Sequence, residues 1–264
     1  MMDIQVESST SRMQRQEQIS SYVLQQSSVS VKALADLFNV SAMTIHRDLD
    51  ELEAQGILRK VRGGATAQPS SLFESDARYR LTLAVKEKEA IAQHALAHIE
   101  PGQAVMLDDS TTVLALVRLL PQVTPLTVIT YGLAAIRELT QVRGIHLMSA
   151  GGEYLPKYDA FVGLLCEQAL AALRANVLFM SVAAVSGNYI FQPEEEFVKL
   201  KRIMLASAEK RVLLIDHTKL EKVALHRLAA LQEFDHIITD AGIDEQKLKA
   251  LKESHIPIEV APLA

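Results

Sequence analysis

The chain has 264 residues, 49% of them hydrophobic, enough apolar material for one large or two modest cores; a disordered chain is excluded. Its one cysteine, Cys166, excludes an intrachain disulfide, suits a reducing cytoplasm and reads as a core filler. A formal net charge of -5 excludes a protein that is basic throughout, so any contact with nucleic acid has to be local.

Residues 1–12 form a polar leader expected to be loose; Met1 to Gln18 is polar with no apolar signal core, and no later stretch has the length and purity of a membrane span. A cytoplasmic protein without a membrane partner is the expectation. From Met13 to Gln26, Ile19, Val23 and Leu24 recur at helical spacing and predict a first helix. Ser30 suits the N-cap of a second, Val31 to Phe38, with Leu34, Ala35 and Phe38 on one face and Asn39 as a left-handed end. Ser41 caps a third, Met43 to Gln55, which carries Ile45, Leu49 and Leu52 inward and leaves Thr44, His46, Arg47, Asp50 and Glu51 elsewhere on the cylinder. Gly56 ends it, Ile57 to Val61 alternates like a strand, and Gly63 and Gly64 turn the chain back into Ala65 to Gln68. A head over 13–68 carrying a wing is predicted, then a linker over 69–79 rich in Pro, Ser, Glu and Asp.

A second domain, 80–264, has another rhythm. Helix Lys86 to Ile99 precedes strand Ala104 to Leu107, the polar loop Asp108 to Thr112 and helix Val113 to Leu120. Strands at 126–129, 145–148, 177–180, 212–215, 236–239 and 256–260 follow, with helices at 133–141, 163–173, 198–209 and 245–254 between them. Short apolar strands separated by amphipathic helices predict an α/β domain with a mostly parallel sheet covered on both faces.

A short helix, a tight turn and a second helix place that second helix in the major groove, where base edges carry a readable code. Ser41, Thr44, His46 and Arg47 supply groups for base edges or phosphates, and Arg59, Lys60 and Arg62 of the wing supply cations for the backbone. The competing reading is an ordinary helical subdomain with these residues as its solvated face. The run from Val40 to Leu49 (Val-Ser-Ala-Met-Thr-Ile-His-Arg-Asp-Leu), with Leu52, Gly56, Ile57 and the closing Arg62-Gly63-Gly64-Ala65, resembles the signature of the DeoR family of bacterial sugar-catabolism regulators. The resemblance implies Ser41, Met43, Thr44, His46, Arg47 and Arg62 as DNA-facing positions; His46 stands where many members have Arg. Asp48 reads as structural, because phosphates repel an acid, and pairing with Arg47 or Arg62 is expected to hold helix and wing together.

The loop Asp108-Asp109-Ser110-Thr111-Thr112 lies where a strand's carboxyl end meets a helix N-terminus, the usual ligand crevice of open α/β sheets; a capping loop without a ligand is the alternative. The resemblance to the DeoR family covers nearly the whole chain, and the second domain looks like the sugar-phosphate isomerase type of α/β fold. It implies Asp108, Ser110, Thr111 and Thr112 as effector contacts, with Ser110 where a glycine is usual, so that a positive φ there would strain the loop. Tyr131 stands where many members have Asn and shapes the pocket, and Gly151 and Gly152 match the family's glycine pair. Lys199, after an acid-rich approach, and Lys219, in Asp216-His217-Thr218-Lys219, are implied as cationic partners of a sugar phosphate that offset Asp108. Ala183 falls about where many members carry Asp, which weakens a catalytic reading.

His94 and His98, four apart on a helix, are a possible metal pair, but no neighbouring Glu completes a zinc-protease motif, so no metal and no cofactor are expected. Dinucleotide, P-loop and nucleophile-elbow fingerprints are absent. The sequence thus predicts a regulator with no catalytic residues: a repressor of a carbohydrate-catabolism operon, binding operator DNA as a homo-oligomer, dimer or tetramer, and released by a sugar-phosphate-type effector. A sugar-phosphate-processing enzyme with a helical appendage, or an activator of transcription, are the alternatives.

Overall fold

A computed structural model describes residues 12–54, 57–66, 76–253 and 256–263. All of the expected leader but Arg12, Gly56 with its helix stop, the end of the wing and most of the linker fall outside the described residues. The chain packs as two compact units that part between Thr82 and Leu83.

The first unit contains α1 (Arg12–Gln26), β1 (Ser28–Ser30), α2 (Val31–Phe38), α3 (Ala42–Ala54), β2 (Arg59–Val61), β3 (Gly64–Thr66) and α4 (Ala77–Thr82). Ser30 caps α2 by accepting the Ala33 N–H at 3.1 Å, and Asn39 ends it at φ 51°, ψ 47°, the left-handed geometry its type tolerates. The apolar stripes of the three helices, including Ile19, Val23, Leu34, Phe38, Ile45, Leu49 and Leu52, close on one core. β1, which sequence pattern did not reveal, pairs antiparallel with β3 and turns the two-stranded wing into a three-stranded sheet. Three residues are too few to show a period. Gly64 is required there: a Cβ would come within 2.2 Å of the Val29 carbonyl oxygen. The last helix, α4, covers the end of the expected linker and belongs to the first unit.

The second unit is doubly wound. Helix α5 (Val85–Ala95), continued by a 3-10 turn (Leu96–His98), leads to β4 (Ala104–Leu107), α6 (Thr111–Val117), β5 (Leu126–Thr130), α7 (Leu133–Leu139) and β6 (Ile145–Ser149). The hairpin β7 (Glu153–Leu155) and β8 (Ala160–Val162) precedes α8 (Leu164–Ala171), β9 (Ala175–Met180), and the strands β10 (Ala184–Ser186) and β11 (Tyr189–Gln192). Then come α9 (Glu195–Ser207), β12 (Ala208–Leu214), β13 (His226–Ala230), β14 (His236–Asp240), α10 (Glu245–Lys252) and β15 (Ile258–Ala261). Seven strands form one sheet in the order β15-β14-β12-β9-β4-β5-β6, every pair parallel. Alternation along β4 sends Val105 and Leu107 to one face, over α5, α6 and α7, and Met106 to the other, under α8 and α9. Strands buried on both faces are continuous apolar runs, as the sequence shows. The two small antiparallel pieces, β7 with β8 and β10-β11-β13, went unread because their strands are mostly three to five residues long and mixed in polarity.

The chain runs from β4 outward to β5 and β6, then returns to the other side of β4 for β9 and continues outward to β15. The reversal makes the carboxyl ends of β4 and β9 the switch point, where open α/β sheets leave a crevice.

Candidate functional site

Helix α3 starts as its sequence dictates: Ser41 Oγ accepts the Thr44 backbone N–H at 3.1 Å and lies 2.9 Å from Thr44 Oγ1. Ile45, Asp48, Leu49 and Leu52 face the core, Ser41, Met43, His46 and Arg47 face solvent, and Thr44 is half-buried. Met43 is 64% exposed, an apolar side chain on the outward face. On the wing Arg59 and Arg62 are exposed, whereas Lys60 is tied down: its ammonium pairs with Asp50 and its backbone N–H donates to Glu53 at 2.7 Å. Lys60 therefore anchors the wing to α3, and its charge is shared with an acid.

Asp48 is structural, but its partners differ from those expected. Its carboxylate, 1% exposed, takes Arg15 Nε at 2.7 Å, Arg15 Nη2 at 3.3 Å and Gln16 Nε2 at 3.2 Å, with Arg12 Nε 3.8 Å away. Asp48 faces inward beside Leu49, toward α1, while Arg47 sits about a quarter-turn round the cylinder in solvent. The pair braces α1 against α3 and leaves Arg47 and the wing's Arg62 outside it.

In the second unit the expected loop sits at the switch point. Asp108 follows β4 and Ser181 follows β9; the Ser181 N–H donates to Asp108 Oδ2 at 2.9 Å and the Ser110 N–H to Oδ1 at 3.0 Å. Ser110 has φ -71° and ψ 148°, ordinary extended backbone, and caps α6 by accepting the Val113 N–H at 3.2 Å. The strain expected of a serine at a glycine position does not arise, because this position never enters the left-handed region. Asp108, Ser110, Thr111, Thr112 and Tyr131 are each less than a tenth exposed.

The cation that answers Asp108 is Lys201. Its Nζ bonds Asp108 Oδ2, donates to the Ser181 carbonyl oxygen at 2.8 Å and lies 3.8 Å from Asp109 Oδ1. Tyr131 donates its hydroxyl to Asp109 Oδ1 at 2.7 Å. Burial first, then the charges of Asp109 and Asp108, pushes the Tyr131 phenol well above its ordinary range and keeps it a donor. Lys199 does not join this cluster: it is exposed and pairs with Glu195 at 3.0 Å. The buried stripe of α9 runs Phe197, Leu200, Lys201, Met204, Leu205, so position 199 points to solvent. The signal for Lys201 was legible as a lysine on that apolar stripe.

Lys219 lies in a 3-10 turn (His217–Lys219) after β12, half-buried. Beside it, Asp240, fully buried at the end of β14, accepts His217 N–H at 2.7 Å, Gly242 N–H at 2.8 Å and pairs with His217 Nδ1 at 2.7 Å. Sequence reasoning passed over this pair because its members stand 23 positions apart. Gly151 and Gly152 follow β6 with φ 63° and 117°, and a Cβ on Gly152 would meet the Val162 carbonyl oxygen at 2.3 Å. His94 and His98, discounted as a metal pair, are joined by Glu259 and His236 from the far end of the chain.

A helix-turn-helix head with an outward face of polar and basic side chains, followed by an α/β domain with a buried polar cluster at its switch point, defines a DNA-binding transcriptional regulator with a sensor domain. The model of the DeoR-like helix-turn-helix domain matches residues 15–71, and that of the DeoR C terminal sensor domain matches residues 83–241. The chain belongs to the DeoR family. It is 32% identical over 252 residues, 95% of this chain and 97% of the relative, to the HTH-type transcriptional regulator YulB of Bacillus subtilis (strain 168). It is 32% identical to the L-fucose operon activator of Haemophilus influenzae over 92% of this chain and 97% of the relative. The lactose phosphotransferase system repressor of Staphylococcus epidermidis is 31% identical, again over 92% of this chain and 97% of the relative. Among solved structures, ribose 5-phosphate isomerase A of Methanocaldococcus jannaschii matches 50% of this chain and 53% of its own at 17% identity and a TM-score of 0.37. The relatives are regulators, and this chain is a transcriptional regulator and not an enzyme. Among the described residues no helix is long and apolar enough to cross a membrane.

Proposed function

We propose that this regulator represses a carbohydrate-catabolism operon in the cytoplasm and that a phosphorylated sugar or a related intermediate releases it from its operator. The outward face of α3, Ser41, Met43, His46 and Arg47 with Thr44 at its edge, enters the major groove, and Arg59 and Arg62 hold the backbone from the wing. The observation that carries this reading is that these side chains face solvent while Ile45, Asp48, Leu49 and Leu52 of the same helix face the core. As a homodimer or tetramer, the protein would set two heads on half-sites about 34 Å apart or a multiple of that.

The effector enters at the switch point, where Asp108, Asp109 and Tyr131 offer partners for sugar hydroxyls and the Ser110-to-Thr112 start of α6 offers N–H and hydroxyl donors to an anion. Lys219 and His217 stand at the carboxyl end of β12 in the same row of strand ends. Gly151 and Gly152 let the chain turn at the end of β6. The effector releases DNA only as far as it binds the two states differently, by a coupling of about 1–3 kcal/mol. The names of the relatives, a lactose phosphotransferase system repressor and an L-fucose operon activator, support a carbohydrate signal. Where the operator lies relative to the promoter sets the sign of control.

The test is a gel shift on DNA upstream of the protein's own gene. Arg47→Ala with Arg62→Ala is expected to abolish the specific complex, and full affinity in that variant would overturn the proposal. A thermal-shift screen of sugar phosphates, free sugars and sugar acids identifies the effector.

A further inference from the structure

At the amino end of β14, three imidazoles converge on one carboxylate. Glu259, on the edge strand β15, has His94 Nε2 2.8 Å from Oε2, His98 Nε2 3.1 Å from both oxygens and His236 Nδ1 3.1 Å from Oε1. His94 and His98 lie one turn apart where α5 runs into its 3-10 continuation, and His236 opens β14. The ligand atoms of His98, His236 and Glu259 all fall within 4.8 Å of one another. We propose that His98, His236 and Glu259 bind one divalent transition ion of the zinc class, with His94 holding the carboxylate of Glu259.

Two neutral imidazole nitrogens and one carboxylate oxygen, with the fourth position left to water, are a donor set that zinc and its neighbours prefer over calcium or magnesium. Metal–ligand bonds near 2.0–2.1 Å put tetrahedral ligands roughly 3.3 Å apart, so the present nitrogen–oxygen spacings need only small rotations to admit an ion between them. His236 and Glu259 are a little under one-third exposed and free to make that adjustment, whereas His98 is 10% exposed and fixes the inner wall. An ion there would tie α5, the first helix of the sensor unit, to β14 and β15.

One neighbour opposes it. Lys210 Nζ, from β12, lies 2.8 Å from His98 Nδ1. A histidine that ligates through Nε2 carries its proton on Nδ1 and needs an acceptor there, which an ammonium is not. Lys210 must swing away for the ion to bind, and an acceptor in its place should strengthen binding about tenfold.

The full, tag-free chain, stripped with a chelator, is titrated with zinc against a chromogenic competitor. One zinc per chain is expected, weakened at least tenfold by His98→Ala or His236→Ala and tightened by Lys210→Gln. Zinc bound equally well by a double variant, His98→Ala with His236→Ala, would overturn the proposal, as would no saturable binding by the wild type. If the alanine variants do not fold, cobalt on the wild-type protein decides: intense visible d–d bands that Glu259→Gln weakens support four-coordinate binding here, and weak six-coordinate bands refute it.

Discussion

Replacing Lys201 with methionine removes the cation paired with Asp108 while keeping the length and apolar stem of the side chain. Both groups are buried, Lys201 at 2% and Asp108 at 0% side-chain exposure, so the attraction is little screened by solvent. Breaking a buried pair by deleting one partner costs about 3–5 kcal/mol, because the remaining charge is left uncompensated. Asp108 keeps two backbone donors, Ser110 N–H at 3.0 Å and Ser181 N–H at 2.9 Å, which puts the expected loss at the lower end, about 3 kcal/mol. With a urea dependence of about 2 kcal/mol per M, the unfolding midpoint of the sensor unit falls by about 1.5 M, read by circular dichroism. Asp108→Asn combined with Lys201→Met removes both charges, and the double variant should recover about 2 kcal/mol relative to the sum of the singles. A Lys201→Met midpoint within about 0.5 M of wild type, together with strictly additive singles, would refute the view that this pair holds the switch point together.

Other outcomes follow from the same geometry. Lys199→Ala should leave both the urea midpoint and the effector-induced release of DNA unchanged, since Lys199 pairs with Glu195 in solvent; loss of effector response in that variant would restore the role its sequence position suggested. Asp48→Ala strands Arg15 at the α1–α3 contact and should destabilise the head by about 2–3 kcal/mol, seen as a lower melting temperature and weaker DNA binding that cooling restores. Cys166 is buried, and burial first, then the Glu167 charge, pushes its thiol from 9.0 up to about 12. The native protein should react with a thiol reagent at pH 8 only as fast as it opens, and a fast stoichiometric reaction would contradict this. By linkage the unfolded thiol ionises first as pH rises, so this group is silent below pH 9.0 and lowers stability between 9.0 and about 12; Cys166→Ala should flatten that slope.

Much of this protein is legible in one dimension because its signals are local. Caps at Ser30, Asn39 and Ser41 work through bonds to residues within five positions, and the inward stripe of α3 is a period in the sequence. The parallel sheet shows as apolar runs because both faces are covered, and the motif around Thr44 and Arg47 carries the family resemblance that the domain matches bear out. What the tertiary structure alone decides is which distant charges meet. Asp48 pairs with Arg15 rather than Arg47, Asp108 with Lys201 rather than Lys199, and Glu259 gathers histidines from 23 to 165 positions away. Coulombic and hydrogen-bonding partners are set by distance in space, and sequence spacing predicts that distance only within a helix turn or a hairpin. Between elements it is settled by the order in which the strands stack, and the reversal between β4 and β9 is what brings Asp108, Ser181 and Lys201 together.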